Sequence, residues 1–174
     1  GERKTKGWGE PGEKFWSQQQ LFYAIKVSKP FETSVAVDNN FVAEKQASGK
    51  NVKAVLNFET SANEAVLVKV GISAVSVENA LLNLSEEIPH WNFDETLAQT
   101  QSVWENELSK IKVEAPEKGK TVFYTALYHS LLAPYLYNDV TKEYLGSDKK
   151  VYKAEGFNNY TVLSLWDTFR AENP

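Results

Sequence analysis

Apolar and polar residues alternate through the first part of the chain, and then the period changes. Leu21, Tyr23, Ile25 and Val27 share one face of an extended segment; Lys29-Pro30 interrupts it, and Phe31, Thr33, Val35 and Val37 resume the pattern. Val52, Ala54, Leu56 and Phe58 make a further run, and Val66, Val68, Val70 and Ile72 another. Asp38-Asn39-Asn40, Ser48-Gly49-Lys50-Asn51 and Ser61-Ala62-Asn63 supply the turns and breaks between them. A period of two with β-branched residues predicts antiparallel strands of a sandwich. They are too few to close two sheets, so residues 1–75 read as the C-terminal part of a larger β-domain.

At Ser76 the period becomes helical. Val77, Ala80, Leu81, Leu84 and Ile88 fall on one stripe, Ser76 is the expected N-cap, and Pro89 ends the run. Asn92 with Glu95 opens a second helix, whose stripe is Leu97, Gln101, Trp104, Leu108 and Ile111. A helix apolar on one side lies over its neighbours and not inside them. Residues 76–113 therefore read as a helical linker. The polar stretch 114–120 is the best internal boundary. Beyond it, residues 122–133 are apolar almost all round, as in a helix surrounded by protein, and Pro134 breaks them. Between Tyr137 and Asn159 the chain is polar and turn-rich, with Leu145-Gly146-Ser147-Asp148 predicting a hairpin between two very short strands. A loop of ~20 residues is more often functional than accidental.

Composition narrows the function classes. Apolar residues make up 42% of the 174, enough for a real core. The net charge of −4 comes without a basic stripe, which argues against nucleic acid as a partner. No apolar run reaches the ~18 residues that would signal a membrane span. Cysteine is absent, so disulfides and thiolate metal sites are excluded, and the two histidines, His90 and His129, are too few for a histidine-based zinc site. Methionine is absent too, even at position 1, as expected of a processed or excised piece.

No Ser-His-Asp motif, phosphate-cradling glycine loop or H-E-x-x-H is present. His129 reads as a core or edge histidine. Asp139, Glu143, Asp148 and Glu155 populate the long loop; their spacing is not that of an EF-hand, and solvated loop acids are the default reading. Trp8 and Trp16 could stack on a sugar or cover the sheet. In the last fifteen residues, Asp167 and Arg170 sit among Leu163, Leu165, Trp166 and Phe169. An acid in such company needs a partner or water. Spacing leaves two readings open, an Asp167–Arg170 pair along a helix and an Asp167 that contacts ligand hydroxyls.

The block Phe123-Tyr-Thr-Ala-Leu-Tyr-His-Ser-Leu-Leu-Ala-Pro134, then Asn138-Asp-Val140, Glu155-Gly-Phe157, Tyr160-Thr161 and Ser164-Leu-Trp-Asp-Thr-Phe-Arg170, closely resembles glycoside hydrolase family 92. Lys29-Pro30-Phe31, Val70-Gly-Ile-Ser73 and Ser76-Val-Glu78 agree with it, so the resemblance runs the length of the chain. It implies a multi-part α+β fold: an antiparallel β-sandwich portion (1–75), linker helices (76–113) and the first helices of an (α/α)6 catalytic barrel (114–174). It implies calcium-dependent, inverting exo-α-mannosidases of the α-1,2-mannosidase type, periplasmic, cell-surface or secreted, acting on mannose-containing glycans. Trp166 and Asp167 correspond to residues lining the terminal-mannose subsite, and Arg170 is carried over as a supporting partner of Asp167. Family members are much longer, and neither the general acid, the general base nor the calcium ligands match a residue here. The chain is thus expected to be a fragment that forms one wall of the sugar site, needs the rest of the catalytic domain, and is inactive alone. The competing reading is a non-catalytic carbohydrate-binding module with Trp8 and Trp16 as its platform.

Overall fold

A computed structural model describes residues 1–5 and 19–161. Trp8, Trp16, Trp166, Asp167 and Arg170 lie outside the described residues. The described chain runs through six strands, β1 (Glu2–Thr5), β2 (Gln19–Val27), β3 (Glu32–Val37), β4 (Asn40–Val42), β5 (Val52–Asn57) and β6 (Val68–Ser73). Three helices follow, α1 (Val77–Glu87), α2 (Phe93–Leu108) and α3 (Glu117–Ser130). Four short strands come last, β7 (Tyr135–Leu136), β8 (Glu143–Leu145), β9 (Val151–Lys153) and β10 (Tyr160–Thr161). Two compact units result, residues 25–69 and the remainder of the chain.

The smaller unit carries the antiparallel sheet β4-β3-β5. Its β3–β4 hairpin turns through Asp38 (φ 49°) and Asn39 (φ 68°), two left-handed residues in succession. Asp and Asn tolerate that conformation better than other non-glycine residues, and its twist suits a two-residue hairpin. Val35 and its neighbour Ala36 are both buried, so β3 is covered on two faces where alternation predicted one. Phe31 and Phe58 pack with ring centres 5.8 Å apart and planes tilted by 54°. The Lys29 ammonium lies 2.6 Å from Glu64 Oε1 and, as its main cause, holds the Glu64 carboxyl below its ordinary value.

β1 pairs antiparallel with β2, within a sheet of order β1-β2-β6. Side chains alternate across β6, and the alternation is the reverse of what hydrophobicity suggests. Val68, Val70 and Ile72 are 57, 54 and 57% exposed, whereas Gly71 and Ser73 are buried. The reason is α1. A Cβ built on Gly71 would stand 2.2 Å from the Ala80 carbonyl oxygen and 2.7 Å from Leu84 Cβ. Only a residue without a side chain lets the helix come so close. The buried face of α1 is correspondingly Asn79, Ala80, Asn83 and Leu84, with Leu81 turned outward. Here packing rotated the predicted stripe.

Capping follows the sequence. Ser76 Oγ accepts from the Asn79 amide at 3.0 Å, and Asn92 Oδ1 accepts from the Glu95 amide at 3.2 Å. In contrast, α3 starts earlier than predicted: Pro116 occupies the N-cap, and Glu117–Lys120, read as linker, form the first turn. Proline's fixed φ pre-organises a helix start, and the acid suits the positive end of the helix. Trp104 of α2 packs on Tyr128 of α3, ring centres 4.6 Å apart, and Tyr124 Oη donates to the Ile111 carbonyl at 3.1 Å. Among the described residues no side chain of α2 or α3 is buried, and no helix is long and apolar enough to cross a membrane.

Candidate functional site

Residues four apart on a helix share a face, so α1 presents Asn79 and Asn83 together beside the buried Ala80 and Leu84. Because Gly71 admits α1 so closely, these two amides come up beside Ser73, which lies on the same face of β6 as Gly71. Asp139 enters this junction from the long loop. Its Oδ2 accepts from Ser73 Oγ at 2.7 Å and from Asn79 Nδ2 at 2.9 Å; its Oδ1 accepts from Asn83 Nδ2 at 2.7 Å. Asp139 is only 6% exposed. Both oxygens are thus satisfied by neutral donors, which is how a buried carboxylate is tolerated.

The donors are themselves held. Asn83 Oδ1 accepts from the Val140 amide at 2.9 Å while its Nδ2 also donates to the Ile72 carbonyl at 2.9 Å. Asn79 Nδ2 reaches Glu143 Oε2 as well, at 2.7 Å, and Thr141 Oγ1 donates to that same oxygen at 3.1 Å. These bonds, Asn79 first, hold the Glu143 carboxyl below its ordinary value. Burial, and secondarily the charge of Asp139, pushes the Tyr137 hydroxyl up. The loop folds back on itself here: the Asp139 amide donates to the Glu143 carbonyl at 2.9 Å, and the Lys142 amide to the Asp139 carbonyl at 2.8 Å.

From this anchor the loop projects the predicted hairpin, β8 paired with β9 from Glu143↔Lys153 to Leu145↔Val151. Its bend is tight. A Cβ on Gly146 would meet Tyr152 Cε2 at 2.7 Å and Asp148 Oδ1 at 2.8 Å. Tyr152 Oη donates to Asp148 Oδ2 at 2.7 Å, and the Lys150 amide donates to Asp148 Oδ1 at 3.1 Å. The loop closes where β7 pairs with β10. Between hairpin and strand pair lies an open cleft of about 760 Å³, walled by Tyr137, Tyr144, Tyr152 and Tyr160 and edged by Asp148 and Asn159.

The model of the glycosyl hydrolase family 92 catalytic domain matches residues 79–174, more than half of the chain, and that of the family 92 N-terminal domain matches residues 1–73. The chain belongs to glycosyl hydrolase family 92.

Among solved family 92 structures, an α-mannosidase of Bacteroides thetaiotaomicron is 36% identical, with a TM-score of 0.87 over 98% of this chain and 23% of its own. The same enzyme in complex with mannoimidazole gives 36% identity over the same shares and a TM-score of 0.86. An uncharacterized secreted glycosidase of Arthroderma benhamiae is 28% identical over 45% of this chain and 11% of its own length. The chain thus spans about a quarter or less of the relatives it matches.

Within this family frame, the loop acids separate. Asp139 and Glu143 are not the solvated acids that the sequence suggested: Asp139 is buried, and Glu143 is half-buried in the same network. Asp148 and Glu155 are exposed. The signal available for Asp139 was the pair Asn79 and Asn83, two amides at helical spacing beside the apolar stripe, which require a polar partner. His129 is exposed on α3, its ring 5.7 Å from that of Tyr128, and is not a core residue. The structure brings Asp139 and Glu143 together and places neither beside Asp148 in the cleft wall. Trp166, Asp167 and Arg170 are outside the described residues. For calcium, no cluster of three or more His, Asp or Glu side chains occurs among the described residues. Asp139 and Glu143 do not fit a calcium site. Such a site needs six to eight oxygen ligands, whereas their oxygens face N–H and O–H hydrogens.

Proposed function

We propose that the protein to which this chain belongs removes terminal α-linked mannose from glycans by an inverting mechanism, and that this chain contributes one wall of the mannose subsite. The observation that carries this reading is the 36% identity, over 98% of the chain, to a family 92 α-mannosidase solved with mannoimidazole. In this reading Trp166 offers its ring to the sugar, Asp167 accepts from sugar hydroxyls, and Arg170 steadies Asp167. Inversion needs a general acid and a general base whose carboxyls stand ~6.5–9.5 Å apart. Neither is assigned here, so residues 1–174 alone are proposed to be inactive. Calcium is proposed for the whole enzyme, with ligands supplied by the rest of the catalytic domain. Export to the periplasm, cell surface or medium accords with the secreted glycosidase relative.

The proposed architecture is the end of a β-sandwich in residues 1–75, a helical linker in 76–113 and the first helices of an (α/α)6 barrel in 114–174. Two surfaces support it. The Val68, Val70 and Ile72 face of β6 is uncovered among the described residues, and so is α3, with Val122 64% exposed. Apolar faces of this kind are normally buried against another layer.

The test is Asp167→Asn in the complete enzyme. Losing a charge-assisted bond to the substrate costs a few kcal/mol, so kcat/KM on an aryl α-mannoside should fall by about two orders of magnitude with the melting temperature unchanged. If Asp167 instead only pairs with Arg170 along a helix, activity stays at the wild-type level and stability falls by ~0.5 kcal/mol. That second outcome removes Asp167 from the subsite.

A further inference from the structure

The groups that Asp139 bonds belong to two domains. The N-terminal domain match ends at residue 73 and the catalytic domain match begins at residue 79. Ser73 closes β6 on the first side of that boundary, and Asn79 and Asn83 open α1 on the second. Asp139 lies 66 positions beyond Ser73. Its Oδ2 nevertheless accepts from Ser73 Oγ at 2.7 Å and from Asn79 Nδ2 at 2.9 Å. Its Oδ1 accepts from Asn83 Nδ2, which also donates to the Ile72 carbonyl of β6. One buried carboxylate therefore ties a loop of the catalytic domain to the last strand of the N-terminal domain.

The ties leave little slack. A hydroxyl has one hydrogen and two lone pairs, and Ser73 uses all three. It donates to Asp139 and accepts from the Val75 and Ser76 amides at 2.9 and 3.3 Å, within the link that leads into α1. Both hydrogens of Asn83 Nδ2 are likewise placed, on Asp139 and Ile72, while its oxygen holds the Val140 amide.

The loop is built outward from this carboxylate. The Asp139 amide donates to the Glu143 carbonyl where β8 starts, and the Lys142 carbonyl accepts from the Ala154 amide just past β9. At the ends of the loop, the Tyr137 amide donates to the Asn159 carbonyl at 2.8 Å, and Asn138 Oδ1 accepts from the Asn159 amide at 2.9 Å. Both loop ends and both hairpin strands thus take their place from residues 137–143.

We propose that Asp139 is a positioning residue, through which the N-terminal domain fixes the 137–159 loop as part of the substrate wall that this chain supplies. The proposal rests on the mannosidase reading. Asp139 touches no sugar in this role and acts through the loop it holds. Functional walls need such a supporting layer, and a shift of ~1 Å far from the chemistry can cost about a hundredfold.

The complete enzyme tests this with Asp139→Asn, Ser73→Ala and the double variant, assayed on an aryl α-mannoside well below the melting temperature of each. Partial unfolding only removes active molecules, so it lowers apparent kcat and leaves KM alone; a displaced wall weakens binding and raises KM. The expected result is a KM about tenfold higher in each single variant, with kcat within about threefold of wild type. The double variant should stay within about twofold of the worse single variant, because both break the same link. Ser73→Ala keeps the carboxylate and its two amide donors, so it carries the test should Asp139→Asn fail to fold. A KM within about twofold of wild type in the folded single variants overturns the positioning role. So does a loss confined to kcat, or a double variant whose KM rises by the product of the two single effects. Each of these leaves the mannosidase reading standing, since wild type still turns over. If wild type does not hydrolyse the mannoside, that reading fails and takes this inference with it.

Discussion

Removing the Asp139 carboxylate should do more damage than any other single change in the long loop. Asp139→Ala strips an acceptor from Ser73 Oγ, Asn79 Nδ2 and Asn83 Nδ2 at once. Hydrogen bonds to a charged group are worth ~1.5–3 kcal/mol each, so even at the low end of that range the three sum to about 4.5 kcal/mol. Two of the donors keep another acceptor, Asn79 at Glu143 and Asn83 at the Ile72 carbonyl. The expected loss is therefore about 3 kcal/mol. At roughly 2–4 °C per kcal/mol for a domain of this size, that lowers the melting temperature by about 6–12 °C. Asp139→Asn is the sharper probe. The new amide can present its oxygen to Ser73 and Asn79, but its NH2 then faces the Asn83 NH2. Asn83 cannot flip to relieve the clash, because the Val140 amide and the Ile72 carbonyl fix its two ends. A loss of about 2 kcal/mol follows from one broken bond and one buried unpaired donor. The assay is urea denaturation together with hydrogen exchange at the Val140 and Ala154 amides, with Glu155→Ala as an exposed control. If Asp139→Ala and Asp139→Asn both stay within ~0.5 kcal/mol of wild type, as expected of a surface change, and exchange at those amides is unaltered, the anchor has been misread.

Two further outcomes follow from the same junction. Gly71→Ala puts a Cβ 2.2 Å from the Ala80 carbonyl oxygen; backbone must move, and a loss of ~2–3 kcal/mol in thermal or chemical denaturation is expected, so a neutral substitution would show that α1 does not approach so closely. For Glu143 the folded carboxyl is held below its ordinary value of 4.5, first by Asn79 and then by Thr141. A depressed carboxyl stabilises the fold above its ordinary value, and that stability is lost as pH falls through the folded value. Below pH 4.5, wild type should therefore lose stability more steeply than Glu143→Gln; parallel pH profiles for the two would refute this.

Local chemistry carried much of the plan. The strand runs with their turns, the caps at Ser76 and Asn92 and the Leu145–Asp148 hairpin depend on neighbours along the chain, so they could be read directly. The family was legible for a similar reason, since the blocks around Phe123–Pro134 and Ser164–Arg170 are continuous in sequence. The family models then matched residues on both sides of Ser76.

What needed the tertiary structure was every choice of face and partner. Hydrophobicity assigned Val68, Val70 and Ile72 to the core side of β6, but the approach of α1 across Gly71 buried the opposite side. That same approach turned Asn79 and Asn83 inward and made a polar socket that only a carboxylate arriving from 56–66 residues away fills. Composition sees Asp139, Asp148 and Glu155 as equivalent loop acids. Burial separates them, because desolvation and the supply of donors depend on what the folded chain brings alongside, and no local pattern records that distance.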